Sequence, residues 1–253
     1  MVRAKKIYGQ HFLQNKQALL KIIDSFSKEE EWKRLIEIGP GMGALTDVLV
    51  EKFLNKQIIL VELDSDLIPE LNSKYGKQAQ ILHLNILKAG DDVFACPDGV
   101  AVAGNFPYNI SGPILFKILD NREYIVEVVG MFQKEVADRV RAAEGSRQRG
   151  ILSVLIQCYF ELKEVLKLKP GSFNPPPKVD SSVLHFVKRN EPLIDPKNLE
   201  SFKGLVKLAF SQRRKTLRNS LKALNKKIPE PFENKRAEQL SNEEFVKLFH
   251  LLN

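Results

Sequence analysis

Leu35-Ile36-Glu37-Ile38-Gly39-Pro40-Gly41-Met42-Gly43-Ala44-Leu45 decides the fold. Residues 35–38 read as a short buried strand, which runs into a glycine-rich turn; Leu45, Val48 and Leu49 then follow at helical spacing. A strand, a glycine loop and a helix bring backbone amides close to a nucleotide-like ligand. A second buried strand, residues 58–61, ends in Glu62. That acid stands about 20 residues past Gly39, where a carboxylate accepts from both hydroxyls of a ribose. Two cofactors fit this loop. Gly39, Gly41 and Ala44 satisfy the G-x-G-x-x-G/A pattern of dinucleotide sites. Gly39, Gly41 and Gly43, with Glu37 two residues ahead, satisfy the E-x-G-x-G-x-G pattern of S-adenosyl-L-methionine sites. Glu37 favours the second, because a carboxylate suits no pyrophosphate but can support the loop or face a cationic methionine end.

Further along, residues 81–85 read as a third strand, ending in Asn85, an acceptor for an adenine amino group; His83 reads as a strand-face residue. Residues 99–103 form a fourth strand leading into Gly104-Asn105-Phe106-Pro107-Tyr108-Asn109-Ile110. A helix follows, with Ser111 as N-cap and Pro113 in its first turn. Asn105 and Tyr108 are thereby placed at the carboxyl end of a strand, where open α/β sheets bind ligands. An amide oxygen and a neighbouring carbonyl can accept from an exocyclic amine there while an aromatic ring stacks on its base.

Residues 125–132 are a fifth strand, running into a helix start at residues 133–139. Residues 144–150 read as a polar surface loop near the ligand face, carrying Arg147 and Arg149; residues 151–160 read as a helix and 162–168 as a strand. Phe173-Asn174-Pro175-Pro176-Pro177-Lys178-Val179-Asp180-Ser181 is a stiff extended loop, and Phe173 at its head is a candidate second stacking surface opposite Tyr108. Residues 183–187 close the sheet as an antiparallel strand.

Pro192 and Pro196 mark a linker to an all-helical remainder. From Lys203 to Lys227 there are nine basic residues and no acidic one. On a helical wheel Leu217, Leu221, Leu224 and Ile228 face inward, while Arg218, Lys222 and Lys226 form an outward stripe with Arg214 at its edge. A single-sign stripe repels itself and is explained by phosphate contacts. The net charge of +8 and a pI of about 9.3 agree with a polyanionic partner.

Composition sets the outer bounds. With 253 residues, 43% hydrophobic and 28% charged, the chain can bury a sizeable core. No run approaches a membrane span, and the start, Met1-Val2-Arg3-Ala4-Lys5-Lys6, has no apolar stretch after it. Cys96 and Cys158 are too few for a disulfide framework, and no Cys/His spacing suggests a metal site. A reducing, cytoplasmic setting fits.

Taken in order, Gly9-Gln10-His11-Phe12-Leu13, residues 37–43, Val61-Glu62, Asn105-Phe106-Pro107-Tyr108-Asn109-Ile110-Ser111, Gln133-Lys134-Glu135-Val136, residues 173–181 and Gln212-Arg213-Arg214-Lys215-Thr216-Leu217-Arg218 resemble the small-subunit (16S) ribosomal RNA adenine N6,N6-dimethyltransferase family. The resemblance spans nearly the whole chain. It implies a Rossmann-like α/β fold: a seven-stranded S-adenosyl-L-methionine-dependent methyltransferase sheet, mostly parallel with one antiparallel strand, over residues 1–189. A small all-α RNA-binding domain is implied over residues 190–253. It implies dimethylation of two adjacent adenosines in the 3′-terminal hairpin of small-subunit rRNA within the immature 30S subunit, by a monomer needing neither metal nor membrane. The alternative substrates are large-subunit rRNA and DNA.

Carried over by motif, His11, Leu13, Gly39, Gly41, Gly43, Glu62, Leu63, Asn85, Ile86 and Asn105 would line the cofactor. Asn105, Phe106, Tyr108 and Phe173 would hold the target adenine, and Arg147, Arg149, Arg213, Arg214, Lys215, Arg218 and Lys222 would meet RNA. Two positions depart from the family's habit: Asn85 stands where Asp is usual, removing a charge, and Phe106 where Leu is usual.

Overall fold

The structure, a computed structural model, describes Lys5 and residues 8–253. Of the first six residues quoted above, only Lys5 lies among the described residues. The chain divides into two units, Met1–Ala137 with Leu162–Lys188, and Asp138–Glu161 with Arg189–Asn253.

The first unit is built on a seven-stranded sheet. Its strands are β2 (Arg34–Ile38), β3 (Gln57–Glu62), β4 (Ala79–His83), β5 (Val100–Asn105), β6 (Ile125–Gln133), β7 (Phe160–Leu168) and β9 (Ser181–Lys188). They lie in the order β4-β3-β2-β5-β6-β9-β7. Pairs β3–β4, β2–β3, β2–β5 and β5–β6 are parallel, and β6–β9 is antiparallel. β2, β3 and β5 are buried almost end to end, as parallel strands covered on both faces must be. The seven-stranded, mostly parallel α/β sheet is the one expected.

One placement differs. β9 does not close the sheet; it lies between β6 and β7, and β7 takes the edge. Burial explains the order. Six of the eight residues of β9 are buried, whereas β7 is buried only at its two ends, as an edge strand tolerates.

A separate two-stranded ribbon pairs β1 (Phe12–Leu13) with β8 (Phe173–Asn174), Leu13 opposite Phe173. Helix α1 (Lys16–Asp24) opens on Asn15, whose side chain accepts from the Ala18 amide at 3.1 Å, a cap worth about 1 kcal/mol. Its buried face, Leu19, Ile22 and Ile23, joins the core containing Trp32 and Phe53. Helices α2 (Ala44–Lys52), α3 (Ile68–Tyr75), the short α4 (Asp91–Phe94), α5 (Ser111–Asp120) and α6 (Lys134–Val140) follow the strands. Ser111 is the first residue of α5 rather than its cap, and its hydroxyl donates back to the carbonyls of Pro107 and Tyr108.

The chain steps outward from β2 to β3 and β4, then returns to the other side of β2 with β5. Carboxyl ends of β2 and β5 therefore meet at a topological switch point, with Glu37 opposite Ala103.

The second unit holds α7 (Ile151–Tyr159), α8 (Leu199–Phe210), α9 (Leu217–Ser220) and α10 (Asn242–Leu252). Residues 138–161, which the sequence reading assigns to the first domain, cluster here. α7 has six buried residues out of nine, so it needs cover on several sides, and α8 and α10 supply it. Phe202 stands edge-on to Phe249 at 5.6 Å, and Phe210 stacks near Phe245 at 5.8 Å.

The long basic helix read through residues 214–228 is absent from this unit. α8 ends at Phe210, α9 lasts four residues, and Asn225 at φ 52° breaks the chain after a single turn over Lys222–Leu224. Leu217, Leu221 and Ile228 are buried as expected, but Lys226 donates to the Leu252 carbonyl. Arg214, Lys215, Arg218 and Lys222 remain exposed on this string of turns. Among the described residues no helix is long and apolar enough to cross a membrane.

Candidate active site

A cavity of about 270 Å³ opens at the switch point, inside the first unit. Its walls bring together the Gly9–Leu13 segment, the glycine loop, Glu62, Leu63, Asn85, Ile86 and the turn from Asn105 to Ile110.

The glycine loop works by shape. Gly39, Gly41 and Gly43 have φ of 70°, 59° and 83°, a region that side chains disfavour. At Gly41 a Cβ would also stand 2.9 Å from the Phe12 ring. Gly43 does not line the cavity, a correction to its assignment as a cofactor contact. It caps α2, and the Tyr75 hydroxyl donates to its carbonyl at 2.9 Å, filling the space a side chain would need.

Glu62 ends β3 with its carboxylate turned back onto the backbone. Oε2 accepts from the Gly41 amide at 3.1 Å, and Oε1 accepts from the amides of Leu63 and Asp64, each at 2.9 Å. Burial pushes its pKa up against these bonds. Asp64, fully buried, accepts from Lys5 Nζ at 2.6 Å and Gln10 Nε2 at 3.0 Å, tying the N-terminal segment beside this strand end. Asn85 lies two residues past β4, and its side chain accepts from the Leu87 amide at 3.0 Å. That bond makes it the cap of a single turn and turns its Oδ1 inward to the chain. His83 is exposed on β4, as expected of a strand-face residue.

Glu37 is buried, lines the cavity, and accepts from Thr46 Oγ1 at 2.7 Å. Burial, with Glu62 nearby, pushes its pKa up to about 8, against the Thr46 bond that lowers it. The folded state therefore favours the neutral carboxyl. Stability from this group is complete below pH 4.5, declines as pH rises toward 8, and levels off beyond. Glu37→Gln is expected to flatten that decline, which is roughly 3–5 kcal/mol for a shift of this size. Urea unfolding of parent and variant at pH 5 and pH 8 checks it; parallel pH dependences would refute it.

Asn105 ends β5 half-buried, and its Nδ2 donates to the His11 carbonyl at 2.6 Å. This bond assigns the amide: nitrogen toward the Gly9–Leu13 segment, oxygen as the accepting end. The Phe106 ring lies over the cross-strand pair Gly104–Gly130, where a Cβ on either glycine would collide with it. The phenyl is thus accommodated by two glycines. Gly130→Ala is expected to destabilise the chain by about 1–3 kcal/mol by overpacking. Phe106→Leu in the same chain should recover part of that loss in thermal unfolding; a Gly130→Ala melt identical to the parent would exclude the slot.

Tyr108 is half-buried, its hydroxyl 2.5 Å from Ser181 Oγ, and its ring stacks on His11 with centroids 5.4 Å apart at 27°. His11 Nδ1 is 2.7 Å from the Pro175 carbonyl. Because a carbonyl only accepts, Nδ1 carries the hydrogen. Phe173 does not face Tyr108. It is 3% exposed, packed in the core and outside the cavity lining, because pairing β8 with β1 turns it in with Leu13. As a stacking surface it is corrected; the ring found against Tyr108 is that of His11.

Among the basic residues of the second unit, Arg149 is also corrected. It is 1% exposed, and its guanidinium donates to the carbonyls of Leu240 at 3.0 Å and Ala142 at 2.8 Å and to Asn242 Oδ1 at 2.6 Å. No face of it is left for a phosphate. Arg213 is exposed but spends Nη2 on the carbonyls of Arg147 and Arg149. Arg147 is exposed. Sequence reasoning does not single out Gln10, which lines the cavity, or Ser181 and Asp64, which hold Tyr108 and Gln10 from outside it. Ser181 closes the proline-rich motif and Gln10 lies in the first motif, so both carried a signal; Asp64 carried none.

The ribosomal RNA adenine dimethylase family model matches residues 1–253. A ribosomal RNA small subunit methyltransferase A from Cytophaga hutchinsonii is 43% identical over 256 residues, covering 100% of this chain and 98% of the relative. The solved dimethyladenosine transferase of Plasmodium falciparum is 27% identical, with a TM-score of 0.78 over 94% of this chain and 96% of that one. The 23S rRNA methyltransferase ErmE, 24% identical with a TM-score of 0.74 over 95% of this chain and 99% of that one, shares the fold. With its motifs in order and its sheet in the methyltransferase arrangement, the chain belongs to the ribosomal RNA adenine dimethylase family.

Proposed function

We propose that the chain dimethylates N6 of two adjacent adenosines in the 3′-terminal hairpin of small-subunit rRNA, with S-adenosyl-L-methionine as methyl donor. The observation that carries this reading is the Asn105 amide, oriented by the His11 carbonyl and facing the cavity that Glu62 and the glycine loop also line. The residue chemistry fits the donor. Glu62 has accepting capacity for ribose hydroxyls, Leu63 and Ile86 offer apolar walls to a purine, and Glu37 lies toward the glycine loop. When bound, S-adenosyl-L-methionine supplies an electrophilic methyl group.

The chain's own part is positioning and local electrostatics. The N6 amine of adenine is a poor nucleophile because its lone pair is delocalised into the ring. Asn105 Oδ1 and the Phe106 carbonyl accept its two hydrogens, which favours a tetrahedral nitrogen and frees the lone pair. The Tyr108 ring stacks on the extruded base. The residues offer no dedicated base, and the methylated amine loses its proton to water. Arg147, Arg213, Arg214, Lys215, Arg218 and Lys222 serve phosphate contacts, supported by their exposure and by the lack of acidic residues from Lys203 to Lys227. The setting is cytoplasmic, the partner the immature 30S subunit, and the working form a monomer.

The test is radiolabelled methyl transfer to undermethylated small subunits, naked large-subunit rRNA and duplex DNA, with the modified base identified. Label in N6,N6-dimethyladenosine of the small subunit is expected. Label confined to either other substrate overturns the reading.

A further inference from the structure

Tyr108 sits in a single helical turn, Tyr108–Ile110, between Pro107 and α5. The turn closes on itself, Ile110 N donating to the Pro107 carbonyl at 3.1 Å. Its ring is bounded on one face by His11. What sets the far end of the ring is its hydroxyl, 2.5 Å from Ser181 Oγ.

Ser181 is anchored differently. It is the first residue of β9, paired with Gln133 of β6, and is fully buried. The carbonyl just before it, on Asp180, accepts from the Lys134 amide at 2.9 Å. Its hydroxyl is therefore presented by the sheet itself, while the group it meets belongs to a turn. A group on a rigid element holds one on a loop more precisely than the reverse.

We propose that Ser181 is a positioning residue for methyl transfer: it holds the Tyr108 hydroxyl so that the ring keeps a fixed angle to the Asn105 amide. A base stacked on that ring then meets the amide in register. This rests on the reading of the residue 105–108 turn as the adenine site. The bond is half-buried, so breaking it leaves the tyrosine hydroxyl to find another partner, and the ring rotates to do so.

The test is a double-mutant cycle of Ser181→Ala and Tyr108→Phe, assayed on undermethylated small subunits with S-adenosyl-L-methionine. Tyr108→Phe removes the same bond without touching β9, so the cycle stands even if Ser181→Ala weakens the strand. Each single variant is expected to lower kcat/KM for the subunit roughly 3- to 10-fold, the range for one such hydrogen bond, with the KM for the methyl donor unchanged. The double variant is expected to lose no more than either single. Losses that multiply in the double, or a single variant at the parental rate, overturn the proposal. So does a fall in melting temperature with kcat/KM of the folded enzyme intact, the signature of a merely structural serine. Asn105→Ala run alongside separates the two ideas. If it is inactive while the cycle is flat, only the positioning role fails; if it is active, the adenine site itself is misassigned.

Discussion

Asn105→Ala is expected to abolish methyl transfer, lowering kcat by roughly 10²–10³-fold or more, the loss seen when one preorganised polar contact to a transition state is removed. The side chain ends a strand, and its fixed contact is one bond to the His11 carbonyl. Losing that bond costs about 1 kcal/mol of stability, so the fold survives. Asn105→Asp is a sharper probe. It keeps an accepting oxygen but sets a second one against the His11 carbonyl, where a donor is required. That variant should fall between parent and alanine. Initial rates of label transfer, read beside thermal melts, decide the matter; near-parental turnover in Asn105→Ala would refute the mechanism.

The second large effect concerns stability. Arg149→Ala is expected to destabilise its unit by ~3–5 kcal/mol, because it strands the Leu240 carbonyl and Asn242 Oδ1, leaves the Ala142 carbonyl with Gln157 alone, and removes a buried stem. Burial pushes the guanidinium pKa down, yet arginine stays charged in proteins. Arg149→Lys should rescue little, since an ammonium cannot serve three separated acceptors as a planar fork does. Arg214→Ala, on an exposed turn, should stay within about 0.5 kcal/mol of the parent. Calorimetric unfolding of the three variants checks this. Had Arg149 been a phosphate ligand, its loss would weaken RNA binding and leave the melt alone.

These two arginines show where sequence reading stops. The glycine loop, Glu62 and the Asn105 turn were legible because local geometry demands them: positive φ at glycines, burial on both faces of parallel strands, a proline turn at a strand end. Arg149 looks like any loop arginine, and its three acceptors come from as far as 93 residues away in the chain. Phe173 reads as a stacking surface ahead of three prolines, but its pairing with Leu13 is long-range and turns it inward. Gly43 fits the glycine pattern while its true neighbour is Tyr75. The basic run satisfies a helical wheel, and nothing in the wheel registers the left-handed Asn225. Local rules carried the site; contacts across the chain decided the exceptions.

The second unit is assembled from two pieces of chain, Asp138–Glu161 and Arg189–Asn253, with strands of the first unit threaded between them. Synthesis therefore delivers α7 well before α8 and α10, the helices that shield it. Until the last helix leaves the ribosome, a nine-residue helix with six inward-facing side chains waits uncovered. A stop codon after Lys188 would make that wait permanent: it would not trim away an appendage but expose an oily surface in what remained.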